Sequence, residues 1–411
     1  MKFRIIRTVM NVKNWGIFWL LIMILGAELA CAGYPQDHFS YLEGLDAEKE
    51  LISRDEQFLF ADFYLTQHFL PWRTGGYQYD AGRVRAFFRT YLEKINRASP
   101  SRKRERRIEE NAELFDYPGL HIRAITTDRI DVLGLPYRAK RGNVINLALQ
   151  ASSVPRGTPL LVTHLSRDRK WYFVESGFVC GWVKEKYVAL VDEKFTETWE
   201  RGPFAVIMKD GENFRIGEIY PVREIEGNWY LLIPKKNRRG KAYIASTHFA
   251  REQTDFFPLP LTYKHLATVA NYLTDKPYGW GGVNGLRDCS SLMRDLFTPF
   301  GIWLPRHSLD QASEGGKFID LSGMGREKKL ATIAAKAIPY LTLLWIKGHV
   351  MLYIGHKEGQ PMVFHSFRRA IVETPNGGFK EEMVGRSQIT PLGRLIESVR
   401  GMVIIAKEGE R

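Results

Sequence analysis

The spacing of apolar residues changes twice along this 411-residue chain, and each change predicts a different kind of structure. In residues 83–97 the apolar side chains recur every three or four positions, which predicts one face of a helix. From about 112 to 255, short apolar runs alternate with polar and turn residues, which predicts β-strands. From 261 a helical pattern returns, and strand patterns follow at 349–355 and 361–367. We therefore expect a multidomain protein with a helical part, a β-rich part and an α+β part.

The first 32 residues have the pattern of a secretory signal peptide. Basic residues come first, an apolar run occupies 15–26, and Ala30-Cys31-Ala32 is a small-residue cleavage site. The apolar run is too short to span a bilayer comfortably. We therefore expect cleavage after Ala32, export to a periplasm and no stable membrane span afterwards. Lipidation of Cys31 is the alternative, although Glu28 occupies the position where a lipoprotein signal prefers leucine.

The charge of the chain favours anionic surroundings. The formal net charge is +13, and removal of the signal, with four basic residues and one acid, leaves about +10. Cell-wall polymers and membrane headgroups suit such a protein, although a basic solvated surface without a partner is equally compatible. Export and the absence of a nucleic-acid motif argue against a nucleic-acid partner.

The chain has three cysteines, so only Cys180 and Cys289 remain after cleavage at Ala32. One disulfide between them stays possible. Neither cysteine has a partner at zinc-ligand spacing, so we expect no metal and no cofactor. Cys180 lies in an apolar run and is expected to be a buried small hydrophobe.

The segment "GLRDCSSLMRDLF" places Cys289 where a loop turns into a helix, with Asp288 as a candidate cap. The helix dipole and free N–H groups at such a position favour a thiolate, which is the nucleophilic form of cysteine. A base is then needed from the predicted sheet. His349 and His365 are sixteen residues apart, and a hairpin centred near Lys357 would bring them side by side on one face.

Several motifs in this half resemble the NlpC/P60 cysteine peptidases, in the same order along the chain. They are "PYGWGG", "DCSSLMRDLFTPFGIWLPRHSLDQ" and "GHVMLYIG…VFHS", and the resemblance covers about residues 261–408. It implies a papain-like catalytic core. The upstream chain resembles the relatives that carry a helical stabilising segment and two bacterial SH3 domains, because "KWYFVE…GFVCGWV" is similar to the closing strands of such a domain. The expected boundaries are 1–32 signal peptide, 33–111 helical segment and linker, 112–192 and 193–255 SH3-like barrels, and 256–411 catalytic domain.

The resemblance assigns roles residue by residue. Cys289 takes the place of the nucleophile, His349 that of the base and His365 that of the orienting third member. Tyr278 takes the place of the tyrosine beside the oxyanion hole, although an aromatic packed in a loop is its alternative role. The remaining cleft positions are Asp288, Ser290, Arg306 and Ser308.

The relatives cleave the γ-D-glutamyl–diamino acid bond of peptidoglycan stem peptides, so we expect a monomeric peptidoglycan hydrolase. If the first SH3-like domain walls off the cleft, the substrate needs a free N-terminal L-Ala, with Asp288 near its ammonium. Two departures from the family's pattern leave the shape of the cleft undetermined. They are Ser291, where the family has glycine, and the segment "LTLLWIKGH" that ends at His349. A non-catalytic wall-binding protein, or a lysin or amidase acting on intact wall, remain the alternatives.

Overall fold

The computed structural model describes residues 34–140, 145–212, 214–373 and 379–405. The predicted signal peptide and Cys31 lie outside the described residues. Within these ranges no helix has the length and apolar character needed to cross a membrane.

Helices dominate the N-terminal segment. They are α1 (Arg54–Arg73), α2 (Ala81–Ala98) and α3 (Arg102–Ala112). Each helix is capped at its start by a side chain that accepts a hydrogen bond from a backbone N–H of the first turn. The capping residues are Ser53, Asp80 and Ser101 respectively. The predicted stripe of α2 is buried, as Val84 and Ile95 illustrate.

The charged end of the predicted helical segment and linker (33–111) forms a helix of its own, α3. Although α3 is highly charged, Ile108 and Ala112 are buried in the core shared with α2 and the first sheet. Two apolar contacts on one face suffice to hold a short helix whose other faces are solvated.

A seven-stranded sheet follows in the order β3-β2-β6-β5-β4-β1-β7. Its strands are β1 (Ile122–Thr126), β2 (Ile130–Leu133), β3 (Gln150–Val154), β4 (Pro159–Leu165), β5 (Trp171–Glu175), β6 (Cys180–Lys184) and β7 (Val188–Leu190), with α4 (Ile145–Leu149) before β3. Phe173 and Trp182 pack edge to face in its interior. Cys180 is a free, buried thiol, as predicted.

A five-stranded antiparallel sheet forms the next part, in the order β11-β10-β9-β8-β12. It follows α5 (Glu193–Glu200) and consists of β8 (Phe204–Ile207), β9 (Ile219–Ile225), β10 (Asn228–Lys236), β11 (Ala242–His248) and β12 (Thr254–Phe256). The β-rich middle of the chain thus contains two separate sheets.

The C-terminal part is α+β, as its pattern predicts. Its helices are α6 (Tyr263–Leu273), α7 (Cys289–Phe297), α8 (Ser308–Glu314), α9 (Arg326–Lys336) and α10 (Leu395–Ser398). Its sheet has the order β13-β18-β14-β15-β16-β17, from β13 (Lys317–Asp320), β14 (Thr342–Ile346), β15 (His349–Lys357), β16 (Gln360–Glu373), β17 (Phe379–Pro391) and β18 (Gly401–Ile404). Helices α6 and α7 pack against this sheet through Leu266, Leu292 and Leu296.

Candidate active site

Cys289 is the first residue of α7, and the local sequence fixes this helix start. Asp288 accepts a hydrogen bond from the Ser291 backbone at 2.9 Å, and the Asp288 backbone donates to the Ser291 hydroxyl at 2.9 Å. This reciprocal capping box satisfies two backbone groups that a helix start leaves open. Cys289 shares the buried face of α7 with Met293 and Leu296, so the helix directs it toward the sheet.

The Cys289 thiol lies in a buried environment that favours its protonated form. Burial, followed by the neighbouring Asp288 carboxylate, raises the pKa of Cys289 to about 12. Backbone hydrogen bonds from Val350 and Ser290, and the Arg306 charge, oppose this rise only in part. The expected thiolate at the helix start is therefore wrong for the ligand-free protein, because burial outweighs the helix dipole. The Val350 contact also places the sulfur beside the start of β15.

His349, His365 and Thr390 form a linear chain of side-chain contacts. His349 Nε2 lies 2.8 Å from His365 Nδ1, and His365 Nε2 lies 3.1 Å from Thr390 Oγ1. All three residues are buried. If each histidine carries its proton on Nε2, His349 donates to His365 and His365 donates to the Thr390 hydroxyl. Nδ1 of His349 is then an acceptor that can take a proton from a thiol.

Burial keeps both histidines neutral near pH 7. It lowers the pKa of His349 to about 4, an effect that the Asp288 carboxylate only partly offsets. The pKa of His365 lies well below its ordinary value, through burial and then through the adjacent His349. A neutral imidazole is the form that a general base requires.

The register of the β15–β16 hairpin decides whether the two histidines face each other. At the turn, Gly355 pairs with Met362. That register, continued along the strands, would put His349 and His365 on opposite faces of the sheet, because side chains alternate with a period of two.

A β-bulge corrects the register before the histidines are reached. Ile354 is an extra residue in β15, and beyond it Leu352 pairs with Phe364. The shift by one residue returns His349 and His365 to a common face. The sequence pattern predicts the shared face, and the bulge that produces it was not predicted.

Tyr278 lies in the loop before α7, held by backbone contacts. Its N–H donates to Gly385 O at 2.7 Å, and the Gly279 N–H donates to Arg287 O at 2.9 Å. Burial, and then the nearby Cys289 and Asp288, raise the pKa of Tyr278 above its ordinary value. Its hydroxyl therefore stays protonated and can donate a hydrogen bond near the cysteine.

Arg306 joins three of the predicted cleft residues. Its guanidinium donates to both carboxylate oxygens of Asp288, at 3.2 and 2.7 Å, and to the Ser290 hydroxyl at 2.9 Å. Burial raises the pKa of Asp288, but the Arg306 charge and hydrogen bonds hold it below the ordinary value. Nε of Arg306 donates to Ser152 Oγ at 2.7 Å, so this arginine also links the catalytic helix to β3 of the first sheet.

Two segments of the chain match models of known protein families. Residues 275–386 match the model of the NlpC/P60 family, and residues 147–184 match that of the SH3 domain of SH3b1 type. The chain therefore contains an NlpC/P60 domain within the matched residues. The family consists of cysteine peptidases, so the enzyme class predicted from the sequence is confirmed.

Two solved structures are similar to this chain. An NlpC/P60 endopeptidase from Photobacterium damselae subsp. piscicida has a TM-score of 0.74 and 22% identity, over 93% of this chain and 98% of its own. An NlpC/P60 family protein from Bacillus cereus ATCC 10987 has a TM-score of 0.48 and 15% identity, over 69% of this chain and 100% of its own. No curated protein matches the chain in sequence. The first likeness shows a common fold along nearly the whole chain.

Ser308 lies beside the site in the NlpC/P60 domain without a direct contact to its nucleophile. It is the first residue of α8 and is half-buried. One turn later the buried Gln311 donates to Ser290 O at 2.9 Å, which packs α8 next to the catalytic helix. His307 and His356 are exposed.

Three residues of the NlpC/P60 site were missed by sequence reasoning. They are Ser152, Gln311 and Thr390. Each contributes only a hydroxyl or an amide to the site, and such a residue carries no motif or spacing of its own. The described part of the chain contains no group of three or more His, Cys, Asp or Glu side chains arranged to hold a metal ion.

Proposed function

We propose that the protein is a peptidoglycan peptidase that hydrolyses the γ-D-glutamyl–diamino acid bond of stem peptides, with diaminopimelate as the diamino acid. The observation that carries the proposal is the Cys289 thiol at the start of α7, hydrogen-bonded to the Val350 backbone directly after His349. His349 begins a buried His349–His365–Thr390 chain within an NlpC/P60 domain. The SH3b1-type match upstream supports a wall-derived substrate.

The reaction follows from the roles of the side chains. Nδ1 of His349 takes the proton of Cys289 as the sulfur attacks the amide carbon. His365 and Thr390 hold the imidazole in the correct tautomer. The Tyr278 hydroxyl and backbone N–H groups at the start of α7 stabilise the oxyanion. His349 then protonates the leaving amine, and water, activated by the same imidazole, releases the glutamyl product from the sulfur.

The second buried cysteine, Cys180, provides a matched control for a test of this mechanism. Both Cys180 and Cys289 are buried and free. We expect Cys289→Ala to abolish release of diaminopimelate from L-Ala-γ-D-Glu-diaminopimelate, measured by mass spectrometry, whereas Cys180→Ser retains it. A chelator should have no effect on the wild type. Turnover by the Cys289 variant would refute the mechanism, and wild-type binding to sacculi without any cleavage would indicate a non-catalytic binding protein.

We also propose that the substrate needs a free N-terminal L-Ala. Support comes from the contact between the first sheet and the catalytic loop, where the Gln150 side chain donates to Gly281 O at 3.2 Å. A closed end of the cleft leaves little room for a glycan before the scissile bond. Asp288 Oδ2 accepts one hydrogen bond from Arg306, so it retains a lone pair for the substrate ammonium.

One comparison tests this substrate preference. The wild type should cleave L-Ala-γ-D-Glu-diaminopimelate much faster than the same peptide attached to muramic acid. Equal rates would instead describe a lysin acting on intact wall, and release of the whole stem peptide from muramic acid would describe an amidase.

The remaining proposals concern architecture and location. We propose that the β8–β12 sheet is a second SH3-like domain and that the catalytic fold is papain-like, with domains near 33–111, 112–192, 193–255 and 256–411. We further propose a monomeric protein that is exported to the periplasm after cleavage at Ala32. Mass spectrometry of the native N-terminus tests the last point, since a lipid-modified Cys31 would mean a lipoprotein.

A further inference from the structure

A cavity of about 70 Å³ lies behind α7, and its lining includes neither Cys289 nor His349 and His365. Ser291, Asp295 and Thr298 line it, and their spacing places them on the face of α7 opposite to the buried face of Cys289. The other walls come from α1, from the loop between β3 and β4, and from the loop before β9. The cavity therefore lies where α7 meets the seven-stranded and the five-stranded sheets.

Arginines dominate the charge of this cavity. Its lining includes Arg129, Arg156, Arg215, Arg294 and Arg306, against the carboxylates of Glu218 and Asp295. A cavity of this kind is unusual, because burying one charge without a partner is costly and like charges add to that cost.

The neighbouring ion pairs leave part of this positive charge without a carboxylate. Arg306 pairs with Asp288 and Arg129 pairs with Glu218. The lining residue Asp295 is engaged from outside the lining by Arg287, at 2.6 Å.

Arg215 is the third arginine of the lining that has a carboxylate partner. It lies 3.8 Å from Asp210, which Arg287 also engages at 2.7 Å. In the part of the chain that the structure describes, Arg156 and Arg294 form no ion pair.

These two arginines also have hydrogen-bonding capacity to spare. Nε of Arg156 is buried and, among the described residues, has no hydrogen-bond partner. Arg294 donates to Leu304 O, and its guanidinium lies over the rings of Phe178 and Trp303, at 3.9 and 4.9 Å from their centres. Burial lowers the pKa of Arg294 to about 10, and the nearby Asp295 carboxylate offsets only part of this effect.

We propose that this cavity is a binding site for a small oxyanion of the phosphate, sulfate or carboxylate class, held by Arg156 and Arg294. Guanidinium groups match such anions in geometry and charge. The cavity volume of about 70 Å³ leaves room for a small ion, since one water molecule needs roughly 10–15 Å³ of such volume. The site does not depend on the proposed peptidase function.

The location gives the ligand a structural consequence. An anion held there contacts the first sheet through Arg156 and the catalytic helix through the face that carries Arg294. Because it binds the assembled junction and not the unfolded chain, it should raise the melting temperature in a saturable manner.

Thermal unfolding of the intact protein in phosphate, sulfate or acetate, at constant ionic strength set with chloride, tests the site. Phosphate and sulfate also stabilise proteins by exclusion from the surface, which does not saturate. Arg156→Gln should lose the saturable part of the shift, and Arg156→Lys should retain part of it. Arg106→Gln removes the same charge from an exposed position on α3 and should behave as the wild type.

The titrations separate the outcomes clearly. A saturable shift in the wild type and in Arg106→Gln, absent in Arg156→Gln, supports the site, and the order of the three anions identifies its preferred class. Isothermal titration calorimetry with inorganic phosphate should give the same pattern. A wild type without any saturable shift, or an Arg156→Gln protein with an unchanged one, would overturn the proposal.

Discussion

At the scale of single residues, Cys289 and His349 have pKa values displaced away from each other. The pKa of Cys289 is raised to about 12 and that of His349 is lowered to about 4, in both cases mainly by burial. Between these values both groups are uncharged. The resting site therefore holds a thiol and a neutral imidazole, and in the proposed mechanism the proton moves only when the substrate is attacked.

This resting state predicts slow alkylation of Cys289. The rate with iodoacetamide should be low at pH 7 and should keep rising above pH 9, because only the thiolate reacts. Mass spectrometry of the Cys289 peptide measures it. The same protein in urea is the control and should react faster at pH 7, since an unperturbed cysteine titrates near 8.5. A plateau with a midpoint below pH 7 would show an ion pair instead.

His365 is predicted to act by positioning His349. His365→Ala should lower kcat by roughly 10²-fold or more with little change in KM, because general base catalysis contributes on the order of 10²–10⁴. His365→Asn keeps a hydrogen-bonding group and should recover part of the loss. Thr390→Val, one step further along the chain of contacts, should have a smaller effect. A change confined to KM would assign His365 to substrate binding.

The residues that the fold brings to the candidate site could be predicted because their types are rare and occur in a recognisable order. A cysteine at a helix start and two histidines on adjacent strands form such a pattern. Thr390 and Ser152 could not be found in this way, since hydroxyl residues are common and their partners are distant in sequence. The state of the thiol was also not predictable, because it depends on burial by the folded protein.

At the scale of secondary-structure elements, the bulge in β15 controls the site. The predicted hairpin centre near Lys357 differs from the observed turn, which lies between Lys357 and Gln360. Without the extra residue Ile354, the two histidines would occupy opposite faces. A bulge leaves no periodic signal, so the sequence indicates the strands but not the correction between them.

Gly355, next to the bulge, offers a test of this register. Its φ is +113°, and a Cβ there would meet only Pro339 Cγ and Tyr41 O, both at 4.0 Å. Gly355→Ala therefore adds backbone strain without a clash. We expect the bulge to be disfavoured, with a loss of kcat through the separation of His349 from His365.

Gly359 is a matched control for this substitution. It lies in the same hairpin with φ +75°, and nothing lies within 4 Å of an added Cβ. Gly359→Ala, close to the left-handed region, should cost about 1–2 kcal/mol of unfolding free energy and leave kcat near the wild-type value. Urea unfolding and kcat are measured on both variants. Equal loss of kcat in the two would dissociate activity from the bulge.

At the scale of the whole molecule, the N-terminal segment is part of the catalytic core. Phe60 and Tyr64 of α1 lie in the same apolar cluster as Cys289, and the Leu51 N–H donates to Leu261 O at 2.9 Å. The sequence predicts the helices of this segment but not their partner, because an apolar stripe does not specify the surface that covers it. The segment also contributes a buried histidine, His38, to the catalytic domain.

His38 predicts how stability changes with pH. Its ring is fully buried, 3.1 Å from the Tyr340 hydroxyl, and burial lowers its pKa to about 3 from an ordinary value of 6.5. The unfolded chain therefore binds a proton at this site below pH 6.5 and the folded protein does not. Stability from His38 is fully present above pH 6.5 and is lost as the pH falls toward 3. His68, His349 and His365 also have lowered pKa values and act in the same direction.

A substitution isolates the contribution of His38 from the other titrating groups. In His38→Gln the slope of unfolding free energy against pH between 6 and 4.5 should fall by about 1.4 kcal/mol per pH unit, the value for one proton. Groups common to both proteins, including carboxylates such as Asp210 with a pKa of about 2, cancel in the difference. His248→Gln, at an exposed position on β11, should keep the wild-type slope. Urea unfolding across this pH range measures all three proteins. An unchanged slope in His38→Gln would mean that the N-terminal segment detaches and exposes His38 before the protein unfolds.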